Sequence, residues 1–414
     1  MAETITPTSP AQLRDAIVWA QETQTPLEII GRGSKRAYGH AVAADHVLNL
    51  SKLSGILFYE PGELVLSARA GTPLSDIHAA LAEKKQQFHF EPGDFPAVLD
   101  GAASPLSGTL GGLVACNLAG PRRLKVGAAR DHVLGFEAVS GRGEDFKSGG
   151  RVMKNVTGFD LSKLMSGSFG TLGVMHSITI KIMPCDEKTR TVLLGCDDPV
   201  LAGSAMIAAL TSENEVSAAA WLPASQAAKT GGGDRMTAMG VGVVAVRVEG
   251  PGPSVAWRCD ALRKLLSSFG PTDALHSTNS LALWRDIANV GPFAGQDDIL
   301  WRLSVPPASG GNVARQLCDQ TGADVMLDWG GGLIWAQLPG DAAPHDAQAD
   351  IVRQIAIAAG GQATLIRASA TLRAAIPVFH PQEPAIAALN ERIRENFDPR
   401  HVLNPGRLNP AKEA

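Results

Sequence analysis

Three glycine-bearing segments carry the chemistry most readily read from this chain. Gly31-Arg32-Gly33-Ser34-Lys35-Arg36 follows a short apolar run and joins side-chain-free positions to a hydroxyl and basic residues. That combination suits a diphosphate, because glycines let main-chain N–H groups crowd an anion, Ser34 adds a donor and the cations complement the charge. The segment satisfies neither G-x-x-x-x-G-K-[ST] nor G-x-G-x-x-G, so alone it reads equally as a tight turn with a solvated basic rim. Ser107-Gly108-Thr109-Leu110-Gly111-Gly112 runs into apolar Leu113-Val114-Ala115-Cys116 and then Asn117. Backbone donors at the start of a helix there are expected to face outward. Close helix–strand packing would demand the same small residues. Gly167-Ser168-Phe169-Gly170-Thr171-Leu172-Gly173-Val174 feeds a strand. Three such clusters in this order argue for one shared site more strongly than any of them alone.

Other side chains invite weaker readings. Arg122 and Arg123 beside Pro121 suit bidentate carboxylate binding, although a solvated or interface loop is the favoured expectation. Lys154-Asn155 reads first as a helix cap. His132 and His176 fall in expected strands as packing or surface residues, and His380, between Phe379 and Pro381, reads as structural. Trp329 and Trp335 flank Gly330-Gly331-Gly332 as core or subunit contacts, and Cys116 reads as a buried thiol.

The elements that must position these residues are well signalled. Ser9 and Gln12 make a capping box ahead of Leu13, Ala16, Ile17 and Ala20 at helical spacing. Leu27 to Ile30 is a strand that empties into the first glycine loop, and 47–50 and 64–66 are further strands. Thr72-Pro73 opens a helix with Pro at its first position and Leu74, Ile77 and Leu81 on one face. A hairpin turning at Gly141-Arg142-Gly143, a short helix over 159–164 and a strand over 174–183 follow. Beyond Pro184 come two runs of strand, helix, strand, strand and helix, the second closed by a strand at 362–367. They suggest a duplicated βαββαβ unit with one antiparallel sheet. Ile386, Leu389, Ile393 and Phe397 predict one buried helical stripe before a turn-rich tail. The expected division is 1–185, 186–368 and a returning segment 369–414, in an α+β fold.

Composition removes several classes. The chain has 414 residues, 45% hydrophobic and 19% charged, so it can bury sizeable cores. A formal charge of −4 gives no electrostatic case for nucleic-acid or anionic-membrane binding. The five cysteines form no C-x-x-C pair, which encodes neither a disulfide framework nor an iron–sulfur site. No signal-like leader and no run of about 18 apolar residues is visible, so a cytoplasmic setting is expected.

The arrangement resembles the vanillyl-alcohol-oxidase/p-cresol-methylhydroxylase (PCMH) type of FAD-binding domain over about Leu27 to Pro184. More narrowly, Gly120-Pro121-Arg122-Arg123, Gly127-Ala128-Ala129-Arg130-Asp131 and Val152-Met153-Lys154-Asn155-Val156-Thr157-Gly158-Phe159-Asp160 resemble the FAD-binding E-subunit family of bacterial glycolate oxidase. Asn404-Pro405-Gly406-Arg407 matches too. The resemblance implies a two-subdomain PCMH-type domain plus an α+β cap. It implies non-covalent FAD with its diphosphate at Gly31, Arg32, Gly33, Ser34 and Lys35. Ser107, Gly108, Thr109, Gly111, Gly112 and Asn117 would lie along the diphosphate and ribityl side, Gly170, Gly173 and Val174 toward the adenosine half, and Asn404 near the isoalloxazine. It further implies a hetero-oligomeric complex with a catalytic FAD subunit and an iron–sulfur subunit, acting on glycolate and touching the membrane only through that complex. The Glu-His-Gly motif of the catalytic D-type subunit has no counterpart, since no His-Gly pair occurs here. No catalytic base is therefore nominated, although His380 is the most tempting. A self-sufficient FAD-dependent 2-hydroxy-acid or alcohol dehydrogenase and a flavin-free scaffold are the competing expectations.

Overall fold

The first helix, α1 (Pro10–Thr23), starts where Ser9 accepts a hydrogen bond from the Gln12 amide and buries Leu13, Ile17 and Ala20. The Gln12 side chain reaches back to the Thr8 amide at 2.9 Å, one residue earlier than a regular capping box. In this computed structural model the described residues are 3–93, 95–99, 108–151, 158–339 and 346–409. Ser107 and the 152–157 stretch, including Lys154 and Asn155, lie outside them.

Strands β1 (Glu3–Ile5), β2 (Leu27–Ile30) and β3 (His46–Asn49) form a parallel sheet in the order β1-β3-β2. β4 (Ile56–Glu60) and β5 (Val65–Arg69) open a second sheet. Pro73 is the N-cap rather than the first residue of helix α2 (Leu74–Glu83), which buries Leu74, Ile77 and Leu81. After the short β6 (Gln86–Gln87) and helix α3 (Leu110–Ala115) come β7 (Val133–Ser140), β8 (Asp145–Gly149), helix α4 (Leu161–Met165) and β9 (Gly173–Lys181). They complete an antiparallel sheet ordered β4-β5-β9-β7-β8. β10 (Met183–Pro184) pairs β6 and closes this part of the chain.

The next part is a βαββαβ run made twice. The first is β11 (Lys188–Gly195), α5 (Pro199–Leu210), β12 (Ala218–Leu222), β13 (Val243–Gly250), α6 (Gly252–Leu266) and β14 (Thr272–Leu275). After helix α7 (Ser277–Ala288), the second is β15 (Leu300–Ser304), α8 (Gly310–Thr321), β16 (Asp324–Asp328), β17 (Leu333–Gln337), α9 (Ala349–Ala358) and β18 (Gln362–Arg367). Their strands share one eight-stranded antiparallel sheet ordered β14-β11-β13-β12-β16-β17-β15-β18, joined at its centre by Trp221 opposite Leu327. Both faces are buried. Val192, Leu194, Val244 and Val246 pack under the helices, while Leu193, Val243 and Ala245 join the core shared with the N-terminal sheets. That is why these strands read as continuous apolar runs although side chains alternate between faces.

Helix α10 (Pro384–Phe397) departs from expectation. No residue in it is fully buried, and Ile386 and Leu389 are 51% and 44% exposed. Its stripe borders an open groove shared with Leu164, Leu172 and Phe379 instead of a closed core. Periodicity reports which side of a helix is apolar, not what covers it.

Two ion pairs cross from the N-terminal part to the large sheet. Arg122 donates to both oxygens of Glu249, at 3.0 and 2.6 Å, and to Gln87 Oε1 at 3.0 Å. Arg247 donates to both oxygens of Glu91 at 2.8 Å and to Ser217 Oγ at 3.1 Å. Arg122 is therefore buried at an internal interface with its fork on the chain's own Glu249, which corrects the solvated half of the solvated-or-interface-loop expectation. Burial opposes ionisation of Glu249, but Arg247 and Arg122 prevail and hold its carboxyl down to about 2, below its ordinary 4.5. The stability this carboxylate contributes is complete above about pH 4.5 and fades as the pH falls towards 2. Glu249→Gln should lower unfolding free energy by about 3–5 kcal/mol at pH 7, because it leaves buried arginine charge uncompensated. Urea titrations at pH 7 and pH 3 check this, the difference between wild type and variant being smaller at the lower pH.

Candidate functional site

β2 delivers the chain into the first glycine loop. A methyl group at Gly31 would stand 2.3 Å from Thr109 Oγ1, and Gly33 has φ +81°. The Arg36 amide donates to Gly33 O at 3.1 Å and the Tyr38 amide to Lys35 O at 3.0 Å, which closes the turn. The amides of Arg32, Gly33 and Ser34 meet no acceptor among the described residues. Lys35 Nζ donates to Ser34 Oγ at 3.2 Å. Arg36 does not belong to the basic rim, because its guanidinium grips Glu28, the carboxylate that also receives buried Arg407.

The second segment uses its glycines differently from the sequence expectation. Thr109 caps α3, accepting from the Gly112 amide at 3.4 Å. The Leu110 amide donates to Thr72 O at 3.0 Å and the Gly111 amide to Ala70 O at 2.8 Å. These donors are directed inward. A methyl at Gly111 would lie 2.9 Å from Ala70 Cβ, so close packing against the strand accounts for this glycine. Gly108 is engaged through its carbonyl, which accepts from the Leu74 amide at 3.0 Å, away from the cleft.

The third segment and the tail meet at Asn404. Its Oδ1 accepts from the Ile29 amide at 2.8 Å, its Nδ2 donates to Phe169 O at 2.7 Å, and its own amide donates to Leu27 O at 2.9 Å. Gly170, at φ +72°, brings its α-carbon under that amide, where a methyl would be 3.0 Å from Nδ2. Behind the tail, buried Asp398 accepts from the Val402 and Leu403 amides at 3.1 and 2.8 Å.

These contacts bring Gly31, Arg32, Gly33, Ser34, Lys35, Thr109, Gly111, Gly112, Gly170, Gly173, Val174 and Asn404 around one pair of adjoining cavities. Asn117 instead faces a neighbouring cleft and accepts from the Arg130 amide at 3.0 Å. Unpaired amides, a hydroxyl and the basic rim of Arg32 and Lys35 could hold a diphosphate group, with the side-chain-free walls leaving room for it.

The neighbouring cleft shares Tyr38, Cys116 and Phe169 with the glycine-lined cavity and is closed on the other side by the large sheet. Arg302, Asp328, Trp329 and Trp335 line it. The two tryptophans are buried, as expected, yet they also wall this cleft. Cys116 is only half-buried and borders both spaces. Arg302 and Asp328 escaped the sequence reading; the available signal was a charge inside an apolar strand, Leu300-Trp301-Arg302-Leu303. Of the histidines, His380 accepts from the Ala363 amide at 3.3 Å and His132 contacts Val126 O at 3.0 Å. Burial lowers the affinity of both, and of His176, for a proton.

An FAD-binding domain family model matches residues 2–148. The chain is 31% identical over 401 residues to glycolate oxidase subunit GlcE of Escherichia coli, covering 96% of each chain. It is 28% identical over 190 residues to glycolate oxidase subunit GlcD of Bacillus subtilis, covering 46% of this chain and 38% of that one. Among solved structures, p-cresol methylhydroxylase with substrate bound superposes with a TM-score of 0.72 at 14% identity, covering 99% of this chain and 88% of that one. A 4-ethylphenol oxidase from Gulosibacter chungangensis superposes with a TM-score of 0.71, also at 14% identity, covering 99% and 89%. The fold is thus the PCMH-type α+β fold.

Asp328 provides a test of the cleft's electrostatics. Burial pushes its carboxyl up to about 7 from an ordinary 3.8, against the opposing pull of the Trp329 amide, Arg247 and Arg302. The unfolded chain ionises near 3.8 while the folded one keeps its proton. The contribution of Asp328 to folding is therefore greatest below about pH 4, declines as the pH rises to about 7 and levels off above. Asp328→Asn, which retains an acceptor for the Trp329 amide, should flatten that slope. Urea midpoints at pH 5 and pH 8 measure it, each tenfold step in proton affinity being worth about 1.4 kcal/mol.

Proposed function

We propose, from the premise that this chain belongs to the FAD-binding glycolate oxidase subunit family of GlcE, that it holds dissociable FAD in the glycine-lined cleft and works as one subunit of a glycolate-oxidising complex. The observation that carries this reading is the convergence of three separate glycine segments and Asn404 on one space whose loop amides at 32–34 meet no acceptor among the described residues. The loop from Gly31 to Lys35 receives the diphosphate, Thr109 and Gly112 flank it, and Gly170, Gly173 and Val174 offer a wall along the nucleotide. Ser107 and Gly108 belong to the same proposed segment. Asn404 acts by fixing the tail, β2 and the Phe169 carbonyl, so that the cleft keeps its shape. Asn117, at the neighbouring cleft, lies toward the redox end.

When bound, FAD supplies a two-electron acceptor. In the complex, glycolate loses a hydride from C2 and a proton from its hydroxyl to give glyoxylate, and electrons leave through an iron–sulfur subunit. A catalytic FAD subunit and that iron–sulfur subunit are separate chains, and the complex sits in the cytoplasm, at the membrane's inner face where it is attached at all. No described helix is long and apolar enough to cross a membrane.

The purified chain should carry flavin absorption, and denaturation should release FAD. Gly31→Val should cut flavin content at least tenfold while circular dichroism stays native, because its side chain would run into Thr109 and displace the loop from its place beside the cleft. Glycolate-dependent dye reduction should need the other subunits. Full activity of the isolated chain would favour a self-sufficient dehydrogenase, and a folded, colourless chain unable to take up FAD would favour a scaffold.

A further inference from the structure

We infer that the cleft beside the glycine-lined cavity is a seat for a small monocarboxylate, clamped by Arg123 and Arg302 over the face of Trp329. The two arginines come from opposite sides of the junction, Arg123 from the segment after Gly120 and Arg302 from β15. Their guanidinium carbons lie 4.7 and 5.2 Å from the Trp329 ring centroid, and Arg302 is also 5.9 Å from that of Trp335. Stacking of this kind fixes a guanidinium's position and leaves its N–H fork free.

Neither guanidinium makes a hydrogen bond or ion pair with any described residue. The contrast is internal to the chain. Arg122, Arg247 and Arg407 are also buried at this junction or beside the cavity, and each has a carboxylate. Asp328 shares the cleft without reaching either guanidinium, and its Oδ1 accepts from the Trp329 amide at 2.7 Å. Two half-buried cations that repel one another, with no carboxylate at ion-pair distance among the described residues and only the more distant charges of Asp131 and Asp328 acting on them, are the arrangement that an incoming anion completes. Burial and the neighbouring charge of Arg302 both lower the affinity of Arg123 for its proton, consistent with that repulsion.

Size and surface select the anion. The cleft has a volume of about 250 Å³, below the usual range for a drug-sized ligand. Trp329, Trp335 and Phe95 give it flat apolar walls, which suit a planar carboxylate better than a strongly hydrated tetrahedral dianion. Asn117 and Gln362 add polar groups for a neighbouring hydroxyl or carbonyl. Only the choice of glycolate as the acid rests on the function proposed above; the seat itself does not require that flavin be bound.

Isothermal titration of the purified full-length chain with glycolate, sulfate and neutral glycolamide tests the seat, with flavin content measured on the same preparation. Glycolate should bind, and glycolamide and sulfate should bind at least tenfold more weakly. Arg302→Gln and Arg123→Gln should each weaken glycolate at least tenfold. Arg302→Lys, which keeps the charge and loses the fork, should fall between wild type and Arg302→Gln, and it serves if the glutamine variant does not fold. Unchanged affinity in folded variants, no detectable glycolate binding, or sulfate binding as tightly as glycolate would overturn the proposal. A colourless chain that still binds glycolate through these arginines would sink the cofactor reading and leave the seat standing, whereas a yellow chain indifferent to the arginine substitutions would do the reverse.

Discussion

Around the cleft the main chain packs against neighbouring residues more closely than a side chain of its own would permit. A methyl at Gly31 would collide with the Thr109 hydroxyl at 2.3 Å, one at Gly111 would meet Ala70 at 2.9 Å, and one at Gly170 would press on the Asn404 amide at 3.0 Å. The cleft is thus a gap between segments held as close as the absence of a side chain at these three positions allows. Asn404 is the tie: one primary amide joins β2, the Phe169 loop and the C-terminal tail. A residue about 370 positions from the first glycine loop therefore fixes the strand that delivers that loop. Such bonds are worth about 1 kcal/mol each in stability, but their larger effect is to hold the binding groups in place before a ligand arrives.

The large sheet meets this nucleotide-type unit through charge as well as apolar contact. Arg122 with Glu249 and Arg247 with Glu91 are fully forked pairs, and Arg247 also stacks on Trp284 at 4.6 Å. Paired buried ions of this kind contribute little net stability against an apolar replacement, yet their directionality admits few alternative dockings. The clasp consequently specifies where the sheet sits, and with it the width of the cleft between Arg123 and Arg302.

The sequence made some of this architecture legible and concealed the rest for definable reasons. The strand at Leu27 to Ile30, the Gly143 hairpin and the helix at 199–210 follow from local pattern, because local sterics and periodicity decide them. The three glycine segments could be paired with one another by their type. Whether a glycine donates its amide or merely makes room could not be read: Gly111 and Gly33 look alike in sequence, yet among the described residues the Gly111 amide meets Ala70 O and the Gly33 amide meets no acceptor. Arg122 and Arg123 are adjacent and identical in type, and tertiary contact sends one into an ion pair and leaves the other in the cleft. The apolar stripe of α10 was visible, but its open surroundings were not.

The duplicated unit explains why the cleft lies under one half of the large sheet. With Trp221 opposite Leu327 at the centre, the ladder places Leu222 and Asp328 at equivalent positions. Following the register outward, Ala245 corresponds to Trp335, and Leu193, opposite Ala245, corresponds to Arg302, opposite Trp335. All six occupy the face turned towards the N-terminal sheets. In the first repeat that face carries Leu193, Ala245 and Leu222, which close against the core. In the second the same three places carry Arg302, Trp335 and Asp328, and there the contact opens into a polar space. A leucine-to-arginine or leucine-to-aspartate difference at a buried, core-facing position is strongly unfavourable unless the site is built around it. The backbone of the repeats supplies one scaffold, and the choice of three side chains on one face decides which copy seals the junction and which one chambers it.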